Sequence, residues 1–121
     1  MNVSSINGFG GARGASLYAA AKSGILALTK SAAQEYATVG IRLNAVCAGA
    51  FRTPMLERVF RKANAENPSA VEEMYKSFIP MNRIGEPSEA AEAILWLLSE
   101  QASYVTGHSM IVDGGFSSAM R

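Results

Sequence analysis

A run of apolar residues from Ile41 to Cys47 most strongly limits the folds that this chain can adopt. Apart from Arg42 and Asn44, the run is apolar at both odd and even positions, so a strand there would present apolar side chains on both faces. This pattern is typical of a strand in a parallel sheet that is covered on both sides. Because parallel strands are joined by crossover connections, usually helices, the run predicts an α/β domain.

Extended and helical patterns also alternate before this run. Residues 1–5 have the character of the end of a strand, and the glycine-rich segment 6–15 predicts a loop that turns sharply or passes close to another group. A helix is predicted from about Leu17 to about Tyr36, with Ser16 as its N-cap. The side chains expected to face the core at helical spacing are Ile25, Leu28, Ala32 and Tyr36.

After the run, helical pieces interrupted at Pro68 are followed by a helix that Ser88 is expected to cap and by a last strand at Ser109–Val112. The order of elements predicts a three-stranded parallel sheet in a single α/β domain, residues 1–121. Three parallel strands leave an apolar edge beside the strand that ends at Ser5. We therefore expect the rest of a larger chain or a partner to lie there.

Composition excludes several classes of protein. The formal net charge of +1 and the scattered basic residues argue against nucleic-acid binding. No apolar stretch approaches the roughly 18 residues of a membrane span, and residues 1–5 do not resemble a signal peptide. Cys47 is the only cysteine, which excludes an internal disulfide and fits a cytoplasmic location. His108 is the only histidine and has no second ligand pattern around it, so we predict no metal site.

Tyr18 and Lys22 are the residues whose spacing suggests chemistry. They are four positions apart in the predicted helix, so their side chains lie on one face. A free tyrosine has a pKa of about 10, and a nearby ammonium favours the phenolate form. Such a pair could act as a general acid/base in a carbonyl–alcohol interconversion, with Ser5 holding the carbonyl oxygen. A core tyrosine with a surface lysine one turn later is the structural alternative for an isolated Tyr-x-x-x-Lys.

The surrounding segments resemble the short-chain dehydrogenase/reductase family along essentially the whole chain. Ser5 precedes Tyr18 by thirteen positions, the usual spacing of that family's catalytic serine and tyrosine. Segments that resemble the family's motifs, in family order, are Asn2-Val3-Ser4-Ser5, Tyr18-Ala19-Ala20-Ala21-Lys22-Ser23-Gly24, Ile41-Arg42-Leu43-Asn44-Ala45-Val46, Ala48-Gly49-Ala50-Phe51-Arg52-Thr53-Pro54-Met55, Pro80-Met81-Asn82-Arg83-Ile84-Gly85-Glu86-Pro87, Ser103-Tyr104-Val105-Thr106-Gly107 and Val112-Asp113-Gly114-Gly115. The resemblance implies an α/β fold with a partial Rossmann-like, doubly wound parallel sheet, made of the three C-terminal strands and their flanking helices.

The resemblance implies a hydride transfer between NAD or NADP and a small-molecule carbonyl or secondary alcohol. In that case Tyr18 donates or takes the substrate proton, and Ser5 orients the substrate carbonyl. Lys22 would bind the nicotinamide ribose hydroxyls and favour the Tyr18 phenolate. Tyr18 and Lys22 would thus belong to both the catalytic and the cofactor-binding set. Residues 55–79 would form an insertion resembling a substrate lid.

The resemblance also implies that the loop after the second strand binds the cofactor. The Phe51 backbone would hold the nicotinamide carboxamide, and Thr53 would add a polar contact near the carboxamide and pyrophosphate. Gly49 would let the backbone approach the cofactor closely. Ala48 replaces the family's usual proline before this glycine, so we expect a less preorganised loop.

A complete family member is about twice as long as these 121 residues. The chain is expected to correspond to the C-terminal half, without the glycine-rich pyrophosphate turn and the residue that selects NAD or NADP. Two hypotheses follow. The parent protein is an NAD(P)-dependent oxidoreductase that forms homo-oligomers, as complete relatives do. Alternatively, the chain is a non-catalytic fragment that acts at most as an assembly or interaction piece.

Overall fold

The computed structural model describes residues 1–119, which contain one sheet of three parallel strands and four α-helices. Residues 120 and 121, the end of the predicted domain, lie outside this description. The sheet has the order β1-β2-β3, and both pairs are parallel. The elements are β1 (Asn2–Ser5), α1 (Ser16–Tyr36), β2 (Ala45–Ala48), α2 (Pro54–Ala63), α3 (Pro68–Phe78), α4 (Pro87–Leu98) and β3 (Ser109–Val112). The predicted three-stranded parallel α/β fold is confirmed.

The central strand β2 is buried on both faces, as its sequence predicted. Ala45 and Cys47 form a core cluster with Leu26 of α1. Val46 points to the opposite face because side chains alternate along a strand, and it is also fully buried. Helix α1 contacts β1 and β2, while α4 contacts β2 and β3. At the outer side of the sheet β1 pairs only with β2 within residues 1–119, and Val3 is half exposed there.

The strand begins later than predicted, at Ala45 rather than Ile41. The two polar exceptions in the apolar run explain why. Arg42 donates hydrogen bonds to the carbonyl of Leu97, near the end of α4, and to those of Ser99 and Val105, which follow the helix. The buried Asn44 donates to the same Val105 carbonyl and accepts from the His108 amide. Residues 41–44 are thus occupied by side-chain bonds to the segment that leads into β3.

Both predicted helix caps were wrong by one or two positions. Ser16 is the first residue of α1, and the N-cap is Ala15, which makes no side-chain capping bond. Helix α4 is capped by Glu86, with Pro87 as its first residue, and Glu89 completes a capping box by accepting from the Glu86 amide. A serine near the predicted start suggested each cap. At α4 the Glu86–Glu89 capping box takes the place of the predicted serine cap, whereas α1 begins without a side-chain cap.

The predicted apolar stripe of α1 was wrong at Leu28 and Tyr36, because apolar residues occur on more than one side of this helix, but Ala32 is buried and Ile25 is partly buried as predicted. The residues of α1 that are buried are Leu26, Thr29, Ala32 and Ala33, whereas Leu28 is 62% and Tyr36 is 46% exposed. Thr29 is fully buried because its hydroxyl donates to the Ile25 carbonyl and accepts from the Asn2 side-chain amide. The buried face of α1 therefore contains a polar connection to β1 besides its apolar residues.

Residues 55–79 contain α3 and all of α2 except its first residue. Pro68, predicted to interrupt the helical region, is the first residue of α3, where its missing amide hydrogen is tolerated. The rings of Phe60 and Tyr75 pack edge to face with centroids 5.1 Å apart. Phe60 and Val71 form a second core cluster together with Ile79 and Ile84, so the two helices have a core of their own.

Candidate active site

Tyr18 and Lys22 lie together on the first turns of α1. The Lys22 Nζ is 5.6 Å from the centroid of the Tyr18 ring. The same ammonium donates a hydrogen bond of 3.1 Å to the Val3 carbonyl in β1. Tyr18 is 41% exposed, so a molecule bound at this end of the helix could reach its hydroxyl. The helical spacing therefore produces the proximity that the sequence predicted, and Lys22 also ties the helix to the sheet.

Ser5 is the last residue of β1 and is buried. Its Oγ accepts a hydrogen bond of 3.2 Å from the Asn7 amide, which caps a short 3₁₀ turn. Since only the oxygen is used in that bond, the hydroxyl hydrogen can still be donated to a ligand. The neighbouring Ser4 donates to the Lys22 carbonyl at 2.8 Å, so the end of β1 is fixed to α1 at a second point.

One glycine of the 6–15 loop, Gly8, lies where close packing leaves no room for a side chain. A Cβ atom on Gly8 would lie 2.9 Å from the Ser4 Oγ and 3.0 Å from the Lys22 carbonyl oxygen. The Gly8 carbonyl also accepts from the Ser23 hydroxyl. By contrast, no neighbouring atom lies within 4 Å of the Cβ position of Gly10 or Gly11. The predicted close approach is thus confirmed at Gly8, where the loop packs against the helix that carries Tyr18 and Lys22.

Gly49 follows β2 and has a structural reason to be glycine that the sequence did not reveal. A Cβ atom on Gly49 would lie 2.6 Å from the Cβ of Asp113, just after β3. The Gly49 amide also donates to the Val112 carbonyl. The close approach therefore involves the end of the neighbouring strand, and it would require glycine there even without a cofactor.

Phe51 and Thr53 continue the loop toward α2. Gly85 donates to the Ala50 carbonyl and accepts from the Arg52 amide, and this forms an isolated parallel bridge opposite Phe51. In a parallel bridge of this kind, the N–H and C=O of the residue between the two bonds point away from the partner. The Thr53 Oγ1 accepts from the Leu56 amide and thereby caps α2.

The two groups of predicted site residues meet at one edge of the sheet. Ser5 pairs with Ala48 in the parallel register, and Gly49 follows directly. Because the carboxyl ends of parallel strands lie at one edge, the Ser5 end of β1 and the 49–53 loop are neighbours there. Ligands of open α/β sheets bind outside this edge. Within residues 1–119, neither the Ser5 nor the Tyr18 side chain forms a hydrogen bond with the loop.

A charged network beside the loop was missed in the sequence. The Arg52 guanidinium lies 2.8 Å from the Glu72 carboxylate of α3 and 3.6 Å from that of Glu86. Lys76 pairs with Glu72 and with Glu73 on the same helix. Hydrogen bonds from Arg52 and then from Lys76 hold the pKa of Glu72 below its usual range. The spacing of Glu72 and Lys76 is visible in the sequence, but the contact with Arg52 joins residues 20 positions apart.

Asp113 forms a hydrogen-bonded turn directly after β3. Its carboxylate accepts from the amides of Gly115 and Ser117 at 2.8 and 2.7 Å. Burial alone would raise the pKa of this carboxyl group. The hydrogen bonds from Ser117 and from the turn amides outweigh burial and lower the pKa.

Residues 1–119 contain no group of three or more histidine, cysteine, aspartate or glutamate side chains placed to hold a metal ion. In the same residues, no helix is both long enough and apolar enough to cross a bilayer.

Comparisons with known proteins agree on one family. A family model described as enoyl-(acyl carrier protein) reductase matches residues 1–117. Oxidoreductase UcpA of Escherichia coli K12 is 45% identical over 102 residues, which cover 84% of this chain and 39% of that protein. Levodione reductase of Leifsonia aquatica is 41% identical over 119 residues, 98% of this chain and 45% of that protein.

A crystal structure of levodione reductase superposes with a TM-score of 0.94 at 42% identity. The match covers 98% of this chain and 46% of the chain in that structure. The chain therefore spans less than half the length of the relatives named here.

Proposed function

The chain belongs to the short-chain dehydrogenase/reductase family, and on that premise we propose that it carries the catalytic part of an NAD(P)-dependent oxidoreductase. The relatives are oxidoreductases by name. The reaction class is the interconversion of a carbonyl and a secondary alcohol. When bound, the nicotinamide supplies or accepts the hydride. The chain's own residues bind and orient the reactants and move the proton.

The proton is assigned to the Tyr18 hydroxyl. In the reducing direction Tyr18 donates it to the substrate oxygen, and in the oxidising direction Tyr18 takes it back. The positive charge of Lys22, 5.6 Å from the ring centroid, stabilises the negative charge left on the Tyr18 oxygen. Ser5 donates its hydroxyl hydrogen to the substrate oxygen while its own oxygen accepts from Asn7.

The cofactor is assigned to the same edge of the sheet. The N–H and C=O of Phe51 face away from the Gly85 bridge, as a pair of backbone groups that recognises a carboxamide must. Thr53 retains a hydroxyl hydrogen to donate, because only its oxygen is used to cap α2. Lys22 is assigned to the ribose hydroxyls, and Gly49 to a close backbone approach. These donors and acceptors fit a nicotinamide nucleotide.

One observation carries the proposal. The Lys22 ammonium approaches the Tyr18 ring while it donates to the Val3 carbonyl, two residues before Ser5. The strand that ends in Ser5 and the helix that carries Tyr18 are therefore fixed to each other. A core tyrosine with an unrelated surface lysine would not need this connection to the sheet.

The test combines binding and turnover. NADH and NADPH are titrated into the folded chain by calorimetry, and micromolar binding, about −8 kcal/mol, is expected. Carbonyl reduction is then measured for wild type, Tyr18→Phe and the matched control Tyr36→Phe, at the other end of α1. Loss of the Tyr18 hydroxyl is expected to lower turnover by about 10²–10⁴-fold, while the control keeps normal turnover. A wild-type chain without nucleotide binding, or an active Tyr18→Phe, contradicts the proposal.

A second candidate function is that of a non-catalytic assembly piece. Residues 1–121 contain no Gly-x-x-x-Gly-x-Gly pattern, and the chain spans less than half of its relatives. Large apolar side chains are exposed on two helices, among them Leu17 and Leu28 on α1 and Leu95 and Leu98 on α4. Such surfaces favour association with copies of the chain or with a complementary polypeptide. Concentration-dependent association without any nucleotide binding would favour this candidate.

A further inference from the structure

Arg52 stands at a junction of three segments. Its backbone amide donates to the Gly85 carbonyl, which lies just before α4. Its guanidinium donates to Glu72 on α3 at 2.8 Å and lies 3.6 Å from Glu86, the N-cap of α4. The 49–53 loop is therefore held by one residue both to the base of α4 and to the second helix of the 55–79 insertion.

Arg52 lies in the proposed cofactor loop, just before the start of the 55–79 insertion. It lies between Phe51 and Thr53, both assigned above to the cofactor, and α2 starts immediately afterwards at Pro54. Helix α2 packs on α3 through Phe60 and Tyr75, and α3 returns to Arg52 through Glu72. The insertion thus follows the loop directly along the backbone, and the Arg52–Glu72 ion pair connects α3 to the same loop.

The packing around the loop supports the same connection. Ala50 and Leu56 pack against the cluster formed by Phe60, Val71, Ile79 and Ile84. The loop therefore contributes to the core of the insertion, and a displacement of α3 would also disturb the bridge between Phe51 and Gly85. Lys76 lies 3.1 Å from Glu72 Oε1, the same oxygen that Arg52 contacts at 2.8 Å, so both cations hold this carboxylate.

We infer that Arg52 is a positioning residue that couples the order of the 55–79 insertion to the order of the cofactor loop. With the Arg52–Glu72 pair formed, α3 is held against the loop that presents the Phe51 backbone. The assignment of that loop to a cofactor rests on the proposed function, but the coupling itself is a property of the chain. Because coupling is reciprocal, a nucleotide that orders the loop would also order the insertion.

The coupling is tested by amide hydrogen exchange, resolved by residue with NMR. Arg52→Met and Glu72→Gln are each expected to speed exchange by about two- to fivefold, the range for an ion pair at this exposure. The faster exchange is expected in α3 and at the bridge amides of Arg52 and Gly85. The double variant should exchange no faster than the single variants, since both remove the same pair. Amides of β2 serve as an internal check that the fold is intact.

Glu73→Gln is the matched control, because Glu73 is the neighbouring carboxylate on α3 and, within residues 1–119, forms an ion pair only with Lys76. It is expected to leave the exchange of the bridge amides unchanged. Unchanged bridge exchange in Arg52→Met, or strictly additive effects of the two single variants, would overturn the coupling. Faster exchange confined to α3 would also overturn the coupling, because the loop would then be independent of the insertion.

Nucleotide titration separates this inference from the proposed function. In a chain that binds NADH or NADPH, Arg52→Met is expected to raise Kd by about two- to fivefold, and Glu73→Gln to leave it unchanged. A Kd that is equal in all three proteins overturns the link to the cofactor loop. If the wild type binds neither nucleotide, the proposed function is contradicted, and the exchange experiment still decides whether Arg52 couples the two segments.

Discussion

Gly49 lies so close to Asp113 that a Cβ atom on residue 49 would stand 2.6 Å from the Asp113 Cβ and 2.7 Å from its Cα. The contact joins the loop after β2 to the turn after β3. The Cα and Cβ of Asp113 are not the end of a flexible side chain, so a methyl group at position 49 can be accommodated only if the backbone shifts.

Gly49→Ala is therefore expected to lower the free energy of unfolding by about 1–3 kcal/mol, the usual cost of overpacking. Urea denaturation followed by circular dichroism measures the change. Gly10→Ala is the control, because no neighbouring atom lies within 4 Å of its Cβ position. The control is expected to stay within about 0.5 kcal/mol of wild type. Equal stabilities of Gly49→Ala and wild type would contradict the contact.

Arg42 is expected to be one of the strongest single contributors to stability outside the apolar core. Its guanidinium donates to three carbonyls, those of Leu97, Ser99 and Val105. Arg42→Met would leave these acceptors without their charged donor, and we expect a loss of about 1.5–3 kcal/mol. Arg42→Lys should recover only part of it, because an ammonium cannot reproduce the planar fork.

Arg58→Met provides the comparison for Arg42. Arg58 is exposed on α2 and makes no ion pair within residues 1–119, so removal of its charge should change stability by less than about 0.5 kcal/mol. Thermal denaturation of wild type, Arg42→Met, Arg42→Lys and Arg58→Met measures these differences in stability. If Arg42→Met and Arg58→Met melt together, the hydrogen bonds of Arg42 contribute nothing to stability.

Glu89 is expected to make stability depend on pH in the acid range. Hydrogen bonds from the Arg83 guanidinium and from the Glu86 amide lower the pKa of Glu89 from 4.5 to about 2. A carboxyl group with a lowered folded-state pKa stabilises the fold fully above its unfolded pKa. That contribution is lost as the pH falls from about 4.5 to about 2.

The measurement is urea denaturation at a series of pH values between 2 and 6 for wild type, Glu89→Gln and Glu92→Gln. Glu89→Gln should be less stable at neutral pH and should lose less stability on acidification. Glu92 lies on the same helix and makes no ion pair within residues 1–119, so its variant should follow the wild-type curve. Parallel curves for wild type and Glu89→Gln would show that the Arg83 pair has no effect.

The sequence predicted the fold more fully than it predicted the helix packing. The apolar run predicted the central buried strand. The break between helices at Pro68 and the strand Ser109–Val112 also lie where the local patterns indicated. Helix faces were harder to predict, since the buried face of α1 includes Thr29, whose hydrogen bond with Asn2 joins residues 27 positions apart. The Gly49–Asp113 and Arg52–Glu72 contacts are non-local in the same way.

The candidate site shows the same division. Tyr18 and Lys22 could be paired from helical spacing alone, and the structure brings them together. The reason for glycine at position 49 could not be found in this way, because it depends on how β2 and β3 align. Local spacing therefore predicted contacts within one helix, whereas contacts between elements required the register of the sheet.

Cys47 offers a test of whether the sheet forms in solution. Its side chain is fully buried in β2, between the neighbouring strands β1 and β3, and burial raises the pKa of the thiol. Since the thiolate is the reactive form and reagent cannot reach it, the native chain should react with Ellman's reagent at least about a hundredfold more slowly than the urea-unfolded chain.

An exposed thiol in the same protein supplies the reference rate. Ser31 is exposed on α1, so Ser31→Cys in a Cys47→Ala background should react at nearly the same rate in native buffer and in urea. The ratio of the Cys47 and reference rates then reports how rarely β2 opens, because reaction at a buried thiol requires opening of the surrounding structure. Rapid native labelling of Cys47 would mean that β2 is not enclosed in solution, and the predictions for Gly49 and Arg42, which depend on the same sheet, would fail with it.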